Sequence, residues 1–422
     1  MDFADLVRTS LIGALTLGCV DHVAPPAPLE PTGPPLTAAP PPPTPVVEAS
    51  ARIAAVGDIM MHGMVQKSAR VAAGADPPAP HGGFSALFDE VAPALRRADI
   101  AFGNLETPIA PKHGTGVRPM VFNAPPVLLT ALHDAGFDIV SFANNHVYDQ
   151  GVAGFTETLE QLDASPLAHA GGGSTCEEAK TPVVLTVNGL KIAFLAASDL
   201  YNDQLNAGPK DPCSFVFDTA QIIAAASGAR TAGADAVVLS VHWGSEYQVV
   251  PHASHVTAAR AIIDGGVDLI LGHHPHVLQP VETWTAPDGR IGVIAFSLGN
   301  FVSNQSAWYR HGSNGIAAGN PRDGALLEVD VVRRAYPSPD GPVHRIELDN
   351  LSVWPLWTDN NTQVGRGKDP VRIEVVPTAT ALAAALKAGD DARAELLGDR
   401  LDQVQKVVGP MPVRVDPTGP RP

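Results

Sequence analysis

Short apolar runs recur along this chain, and each ends in a cluster of polar, ligand-capable side chains. Arg52-Ile53-Ala54-Ala55-Val56 runs into Gly57-Asp58, and Ile100-Ala101-Phe102 into Gly103-Asn104-Leu105-Glu106. Residues 137–143 run into Asn144-Asn145-His146, and residues 236–241 into His242-Trp243-Gly244. Leu269-Ile270-Leu271 ends at Gly272-His273-His274-Pro275-His276, and residues 291–297 end at Leu298-Gly299-Asn300. Between these runs, segments at 84–98, 127–135, 154–164, 220–232 and 256–264 read as helices, and 183–197 reads as a hairpin around the turn pair Asn188-Gly189. Strands that alternate with helices pair in parallel and carry the helices on the sheet faces. In such sheets ligands bind at the carboxyl ends of the strands, the edge on which all these polar clusters fall.

The residue types in the clusters match the needs of a two-metal hydrolase. Two divalent ions roughly 3.5–4 Å apart require bridging and terminal oxygen ligands and several imidazoles, together with an acid for the leaving group. Asp58 and Glu106 supply carboxylates, Asn145 an amide oxygen, and His242, His274 and His276 imidazoles. His146 and Asp149 are one helical turn apart, so the carboxylate can fix the ring's tautomer and favour its protonated form. Asn144, Glu246, His273 and Asn300 stand beside them as substrate-binding candidates. Each has an ordinary alternative: Asp58 as a helix N-cap, Glu106 as a surface acid, Asn144 as a loop former, His273 as a packed ring and Asn300 as a turn cap. The mixed oxygen and nitrogen ligands suit manganese, iron and zinc alike, with two ions expected.

Taken in order, Val56-Gly57-Asp58, Gly103-Asn104-Leu105-Glu106, Ala143-Asn144-Asn145-His146 with Asp149, His242-Trp243-Gly244, Gly272-His273-His274-Pro275-His276 and Ser297-Leu298-Gly299-Asn300-Phe301 resemble the motifs of the CapA, or poly-γ-glutamate capsule, family. The resemblance covers roughly residues 52–330. It implies a calcineurin-like metallophosphatase fold, a four-layer α/β/β/α sandwich. It also implies Asn145, His242, His274 and His276 as metal ligands, His146 as the leaving-group acid and Asp149 as its orienter. The chain departs from the metallophosphatase pattern at Met60, which stands where an Asp-x-His motif has its histidine, with His62 nearby but out of register. Glu106 stands where the bridging ligand is usually an aspartate.

The formal charge is −16, which repels phosphate backbones and excludes nucleic acid as a partner. None of the three cysteines sits in a CxxC pair, so no cysteine-based zinc site is expected, while Cys176 and Cys213 read as a disulfide or as two separate thiols. Residues 1–19 form a signal-like segment ending at Cys19, a lipid-anchor site of the bacterial lipoprotein type. Residues 20–50 are a proline-rich linker, 51–377 the catalytic-type domain, and 378–422 a helical tail with a loose end. The expectation is an exported, periplasmic or outer-membrane-anchored hydrolase that cleaves a phosphoester or amide bond, with a metal-bound hydroxide as nucleophile. Its substrate is an anionic envelope polymer such as poly-γ-glutamate, or a small phosphoester, and other envelope biosynthesis proteins are expected partners. The alternative is a non-catalytic, polymer-binding assembly or export factor on the same fold.

Overall fold

Residues alternate faces along a strand, and Val46–Ile59 shows what that does here. Ala51, Ile53 and Ala55 point into one buried cluster, while Ala54 and Val56 point into another. The strand is therefore buried on both faces and lies in the middle of a stack. The computed structural model describes residues 44–203, 211–362 and 369–410. The signal-like segment, Cys19, the linker up to residue 43 and the residues from 411 onward lie outside them.

Two sheets form the centre. The larger has eight strands, in the order Ile373–Pro377, Val343–Asn360, Asp323–Tyr336, Val46–Ile59, Ile100–Leu105, Ile139–Ser141 and Ala168–Ala170, with Asn300–Val302 also pairing with Val46–Ile59. The smaller has six, in the order Val281–Thr285, Ile291–Ala295, Leu269–His273, Ala236–His242, Leu190–Ser198 and Val183–Val187. Ile53, Ile100 and Phe102 of the first sheet share a core with Ile192, Phe194 and Leu271 of the second, which places the sheets face to face. Helices Gly63–Ala73, Val127–Ala135 and Gly151–Asp163 cover the outer face of the larger sheet through Val65, Leu128, Leu132 and Phe155. Helices Thr219–Thr231 and Ala253–Asp264 cover the smaller through Ile222, Ala226 and Ile262. The layers run α/β/β/α, the expected fold class.

The local signals act as expected. Asp218 caps helix Thr219–Thr231 by accepting from the Gln221 N–H at 2.8 Å, and Gly136, at φ 116°, ends helix Val127–Ala135. Asn188 and Gly189 make the hairpin turn with φ 50° and 78°.

Two expectations need correction. The helix expected over 84–98 is a 3-10 segment, His81–Leu87, followed by a single turn, Ala92–Leu95. Phe84, Phe88, Val91 and Leu95 are all buried, so the apolar period is genuine, but Pro93 has no N–H to continue a helix through it. The linker expected to reach residue 50 ends earlier: Val46 already pairs with Ala335, because antiparallel partners extend the strand beyond its apolar centre. The tail expected from 378 forms helices Thr378–Ala388 and Asp391–Val408. Val404 and Val408 of helix Asp391–Val408 enter the core between the sheets.

Cys176 and Cys213 are joined as a disulfide. Among the described residues, no helix is long and apolar enough to cross a membrane.

Candidate metal centre

Strand register brings the polar clusters into two facing rows. In the larger sheet Asp58 stands opposite Asn104 on one side and Asn300 on the other, and Asn104 opposite Ser141. In the smaller sheet His242 stands between Ser198 and His273. The two rows approach because the chain after strand Ile291–Ala295 leaves the smaller sheet and enters the larger one at Asn300. Backbones pass closely there. A Cβ on Gly57 would lie 1.9 Å from the Gly299 carbonyl oxygen, and one on Gly272 would lie 1.9 Å from that of Phe296.

Asp58 and Glu106 are both fully buried, and they differ in how they are satisfied. Asp58 Oδ1 accepts from Asn104 Nδ2 at 2.9 Å and faces His273 Nδ1 at 3.1 Å. Its Oδ2 accepts from the His274 N–H at 3.3 Å and faces His276 Nδ1 at 3.1 Å. Burial pushes the Asp58 carboxyl up, but hydrogen bonds with His273 and His276 outweigh it and hold the group well below the usual carboxylate range. Glu106 Oε2 accepts one long bond from Asn104 Nδ2 at 3.3 Å, and its Oε1 has no partner. Burial first, then the charges of Asp58, Glu246 and Asp149, push the Glu106 carboxyl well above its usual range.

The surroundings of that orphaned oxygen define the site. His242 Nε2 and His276 Nε2 each lie 3.8 Å from Glu106 Oε1, and His146 Nε2 lies 3.9 Å away. These separations are too long for hydrogen bonds. The gap suits a cation with bonds of about 2 Å to each ligand. His276 Nε2, His274 Nδ1 and His273 Nε2 are likewise buried without a partner. Asp58, Glu106 and His242 offer ligand atoms that all lie within 4.8 Å of one another. Burial and the neighbouring His274 hold His242 well below the usual imidazole range, and burial followed by His276 holds His274 at about 4. Neutral rings are the form that ligates. The donor set therefore fits a divalent metal.

The remaining expected residues take distinct places. Asn145 Oδ1 meets His242 Nε2 at 2.9 Å, so both ligand atoms reach the cluster. His146 Nδ1 lies 2.8 Å from Asp149 Oδ2, which directs Nε2 inward toward Glu106. Asn300 Oδ1 faces His276 Nδ1 at 3.0 Å. His273 lies inside the cluster against Asp58, fully buried. Asn144 braces the loop: its Nδ2 donates to the Leu105 carbonyl at 2.9 Å, and its Oδ1 accepts from the His146 N–H at 3.1 Å. Glu246 is half-buried beside the site and acts on Glu106 through its charge. The His242 ring nitrogens meet Asn104 and Asn145, so those two side chains orient it. His274 and His276 hold φ values of 92° and 55°, a left-handed backbone that side chains disfavour by roughly 1–3 kcal/mol each.

Sequence reasoning assigned no role to four further residues. Asn104 is fully buried, and its amide ties Asp58 to Glu106 while its oxygen accepts from Ser141 Oγ at 2.9 Å. A fully polar amide ending an apolar strand was the available signal. Asn202 Nδ2 lies 3.3 Å from His146 Nδ1. The Phe122 ring packs 4.3 Å from that of His146, and the ring of His62 lies 4.8 Å from Phe122. His62 thus borders the centre after all, held at about 4 by burial and then by His276 and His146.

The profile of the family described as "Bacterial capsule synthesis protein PGA_cap" matches residues 52–305. The chain is 30% identical over 284 residues to the capsule biosynthesis protein CapA of Bacillus anthracis, covering 66% of this chain and 65% of that protein. It is 34% identical over 276 residues to the PGA biosynthesis protein CapA of Bacillus subtilis (strain 168), covering 65% of this chain and 66% of that protein. The chain thus spans a little under two thirds of the length of each. Among solved structures it is similar to the NAD nucleotidase of Haemophilus influenzae, at 11% identity and a TM-score of 0.42, covering 86% of this chain and 64% of that one. It is also similar to a calcineurin-like phosphoesterase of Bacillus subtilis, at 9% identity and a TM-score of 0.36, covering 71% of this chain and 90% of that one.

Proposed function

This chain belongs to the bacterial capsule synthesis protein (PGA_cap) family, and from that premise we propose that it is an exported, metal-dependent hydrolase acting on an anionic envelope polymer such as poly-γ-glutamate. One observation carries the hydrolase reading: a buried, partnerless carboxylate oxygen of Glu106 ringed by three imidazole nitrogens at 3.8–3.9 Å. Asp58, Glu106, Asn145, His242, His274 and His276 would hold the metal. A divalent ion bound there would supply Lewis acidity toward a phosphoryl or carbonyl group.

The chain's own residues supply the rest. Nδ1–H of His146 is committed to Asp149, so Nε2 is the nitrogen that, in the doubly protonated ring, would carry the transferable proton. That proton goes to the leaving group, while Asp149 stabilises the protonated ring. Phe122 closes over the ring, and its backbone N–H, donating to Asp149 Oδ2 at 2.5 Å, fixes the orienting carboxylate. The Asn202 amide lies against the ring, with Nδ2 at 3.3 Å from Nδ1 and 3.5 Å from Nε2. Export is supported by the Cys176–Cys213 disulfide, since such bonds persist in oxidising compartments.

The test is a panel of phosphoesters and γ-glutamyl peptides with Mn²⁺ and Zn²⁺, run on protein of measured metal content. Activity is expected to fall about 10²–10⁴-fold in His146→Ala with metal content unchanged. A protein that holds no metal and cleaves nothing, yet binds polymer, would return the assembly-factor reading.

A further inference from the structure

Beside the metal centre lies a groove of about 580 Å³ whose lining carries no charged side chain. That is unexpected next to a centre proposed to act on a polyanion. A carboxylate entering it would lose its water without meeting a cation.

The groove joins the centre through a short chain of contacts. Asn300, whose Oδ1 faces His276, donates from Nδ2 to Gln305 Oε1 at 3.0 Å and to the Pro321 carbonyl at 2.8 Å. Tyr247, on the opposite segment, donates its backbone N–H to the Pro275 carbonyl at 2.8 Å, and its ring centre lies 6.4 Å from that of His276. Two aromatic faces stand in water there, with Tyr247 at 50% and Trp308 at 56% exposure. Tyr247 keeps its place at φ 63°, and Ser306 beside it sits at φ 49°. Two lining residues in the left-handed region mark a wall that the fold maintains at a conformational cost.

The polar atoms are arranged to donate. Gln305, which lines the groove, has its Oε1 occupied by Asn300, and this leaves its NH₂ as the group free to donate. Asn320 Oδ1 accepts from Arg400 Nη2 at 2.9 Å, which commits its oxygen and leaves its NH₂. Gln403, from the final helix, completes the lining. Exposed aromatic faces, fixed N–H donors and no charge together match one ligand chemistry: a neutral ring with an apolar face and oxygen acceptors at its edge.

We propose that this groove is a subsite for an uncharged pyranose ring of an envelope glycan, stacked on Trp308 and Tyr247 and hydrogen-bonded by Gln305, Asn320 and Gln403. Calling it a subsite rests on the proposed metal centre, but the binding itself does not.

The experiment is a titration of the full chain with neutral tetrasaccharides (N-acetylglucosamine and glucose oligomers) and, separately, with γ-glutamate tetramer, followed by calorimetry and tryptophan fluorescence. Saturable binding of a neutral oligosaccharide with a blue shift is expected. Trp308→Ala and Tyr247→Ala should each weaken it tenfold or more, with Trp308→Phe largely restoring it. Metal content and melting temperature should be unchanged in all three variants. Sugar binding that survives EDTA treatment in a protein unable to load metal would support the groove and sink the metal centre alone. No binding of any neutral oligosaccharide, or γ-glutamate binding that is lost in Trp308→Ala, would overturn the proposal.

Discussion

Replacing Glu106 with glutamine should make the metal-free protein more stable while removing its response to metal. The carboxyl is fully buried, one oxygen has no hydrogen-bond partner, and Asp58 and Asp149 add negative charge nearby. Its affinity for a proton is therefore raised well above the ordinary range, whose reference is 4.5. In the unfolded chain at pH 7 the same group is ionised, so folding without metal requires it either to take up a proton or to remain charged in a dry site. Taking up a proton at pH 7 costs an ordinary glutamic acid about 3 kcal/mol, which is the ceiling on what Glu106→Gln can recover. The sign follows from the protons: the folded state binds more of them above the reference value, so wild-type stability falls as pH rises through that range, and the gain from Glu106→Gln should shrink toward zero near pH 4.5. A gain of 1–3 kcal/mol corresponds to roughly 2–10 °C in a domain of this size. Metal acts in the opposite sense. At a hundred times its dissociation constant, an ion that binds only the folded state adds about 2.7 kcal/mol to the wild type, and Glu106→Gln should lose most of that. The assay is a pair of thermal melts, on EDTA-treated protein and on protein with added Mn²⁺ or Zn²⁺. A variant that melts lower than wild type without metal, and gains as much as wild type with it, would refute the reasoning.

Three further outcomes follow from the same geometry. Asn104→Leu removes the amide that spans Asp58 and Glu106 and should weaken metal binding about 10–100-fold, measured by competition with a chelating dye; unchanged affinity would remove Asn104 from the site. His274 is held at about 4 in the folded protein, chiefly by burial and then by His276, against an ordinary 6.5. The unfolded chain therefore binds more protons between those values, so its contribution of about 3 kcal/mol is complete above pH 6.5 and is lost as pH falls toward 4. This is best read by denaturant melts in the Glu106→Gln background, where the opposing trend is absent, and a flat profile there would count against it. Arg400→Leu leaves Asp323 buried without its ion-pair partner and should cost about 3–5 kcal/mol by denaturant melts; a cost below 1 kcal/mol would show that the pair is dispensable.

The fold class was legible because the apolar strands are short, regularly spaced and bounded by helices, and burial on both faces leaves them no other arrangement. The site was legible for a related reason. A carboxylate, amide or imidazole after an apolar run has nowhere to go except the strand-end edge, so Asp58, Glu106, Asn145, His146, His242, His274 and His276 could be read one at a time. Register could not be read this way. Nothing in the sequence says that Asp58 stands opposite both Asn104 and Asn300, because that depends on which strands are neighbours and on a bulge after Asp58. Asn104 was overlooked for that reason: its partners Asp58 and Ser141 are set by pairing between neighbouring strands of the larger sheet and not by sequence spacing. His62 was overlooked because three apolar or backbone-anchored positions separate it from Asp58, and only the packing of Phe122 shows that its ring comes back to the centre.

The final helix shows what strand-end reasoning leaves out. Arg400 is fully buried, and it holds the segment Ile316–Arg322 through the Ile316 carbonyl, Asn320 Oδ1 and Asp323. Pro321 in that segment accepts from Asn300, which in turn faces His276. Hydrogen bonds, joined by the backbone step from Asn320 to Pro321, therefore link a helix beyond residue 390 to an imidazole of the candidate centre. None of these links falls in the interval 52–305 that the family profile matches, apart from Asn300 and His276 at its inner end. The matched interval thus carries the candidate ligands together with Tyr247, Val277 and Gln305 of the groove, while Trp308, Asn320 and Gln403 come from chain outside it. The surroundings of the candidate centre are therefore completed by residues that lie after the matched interval.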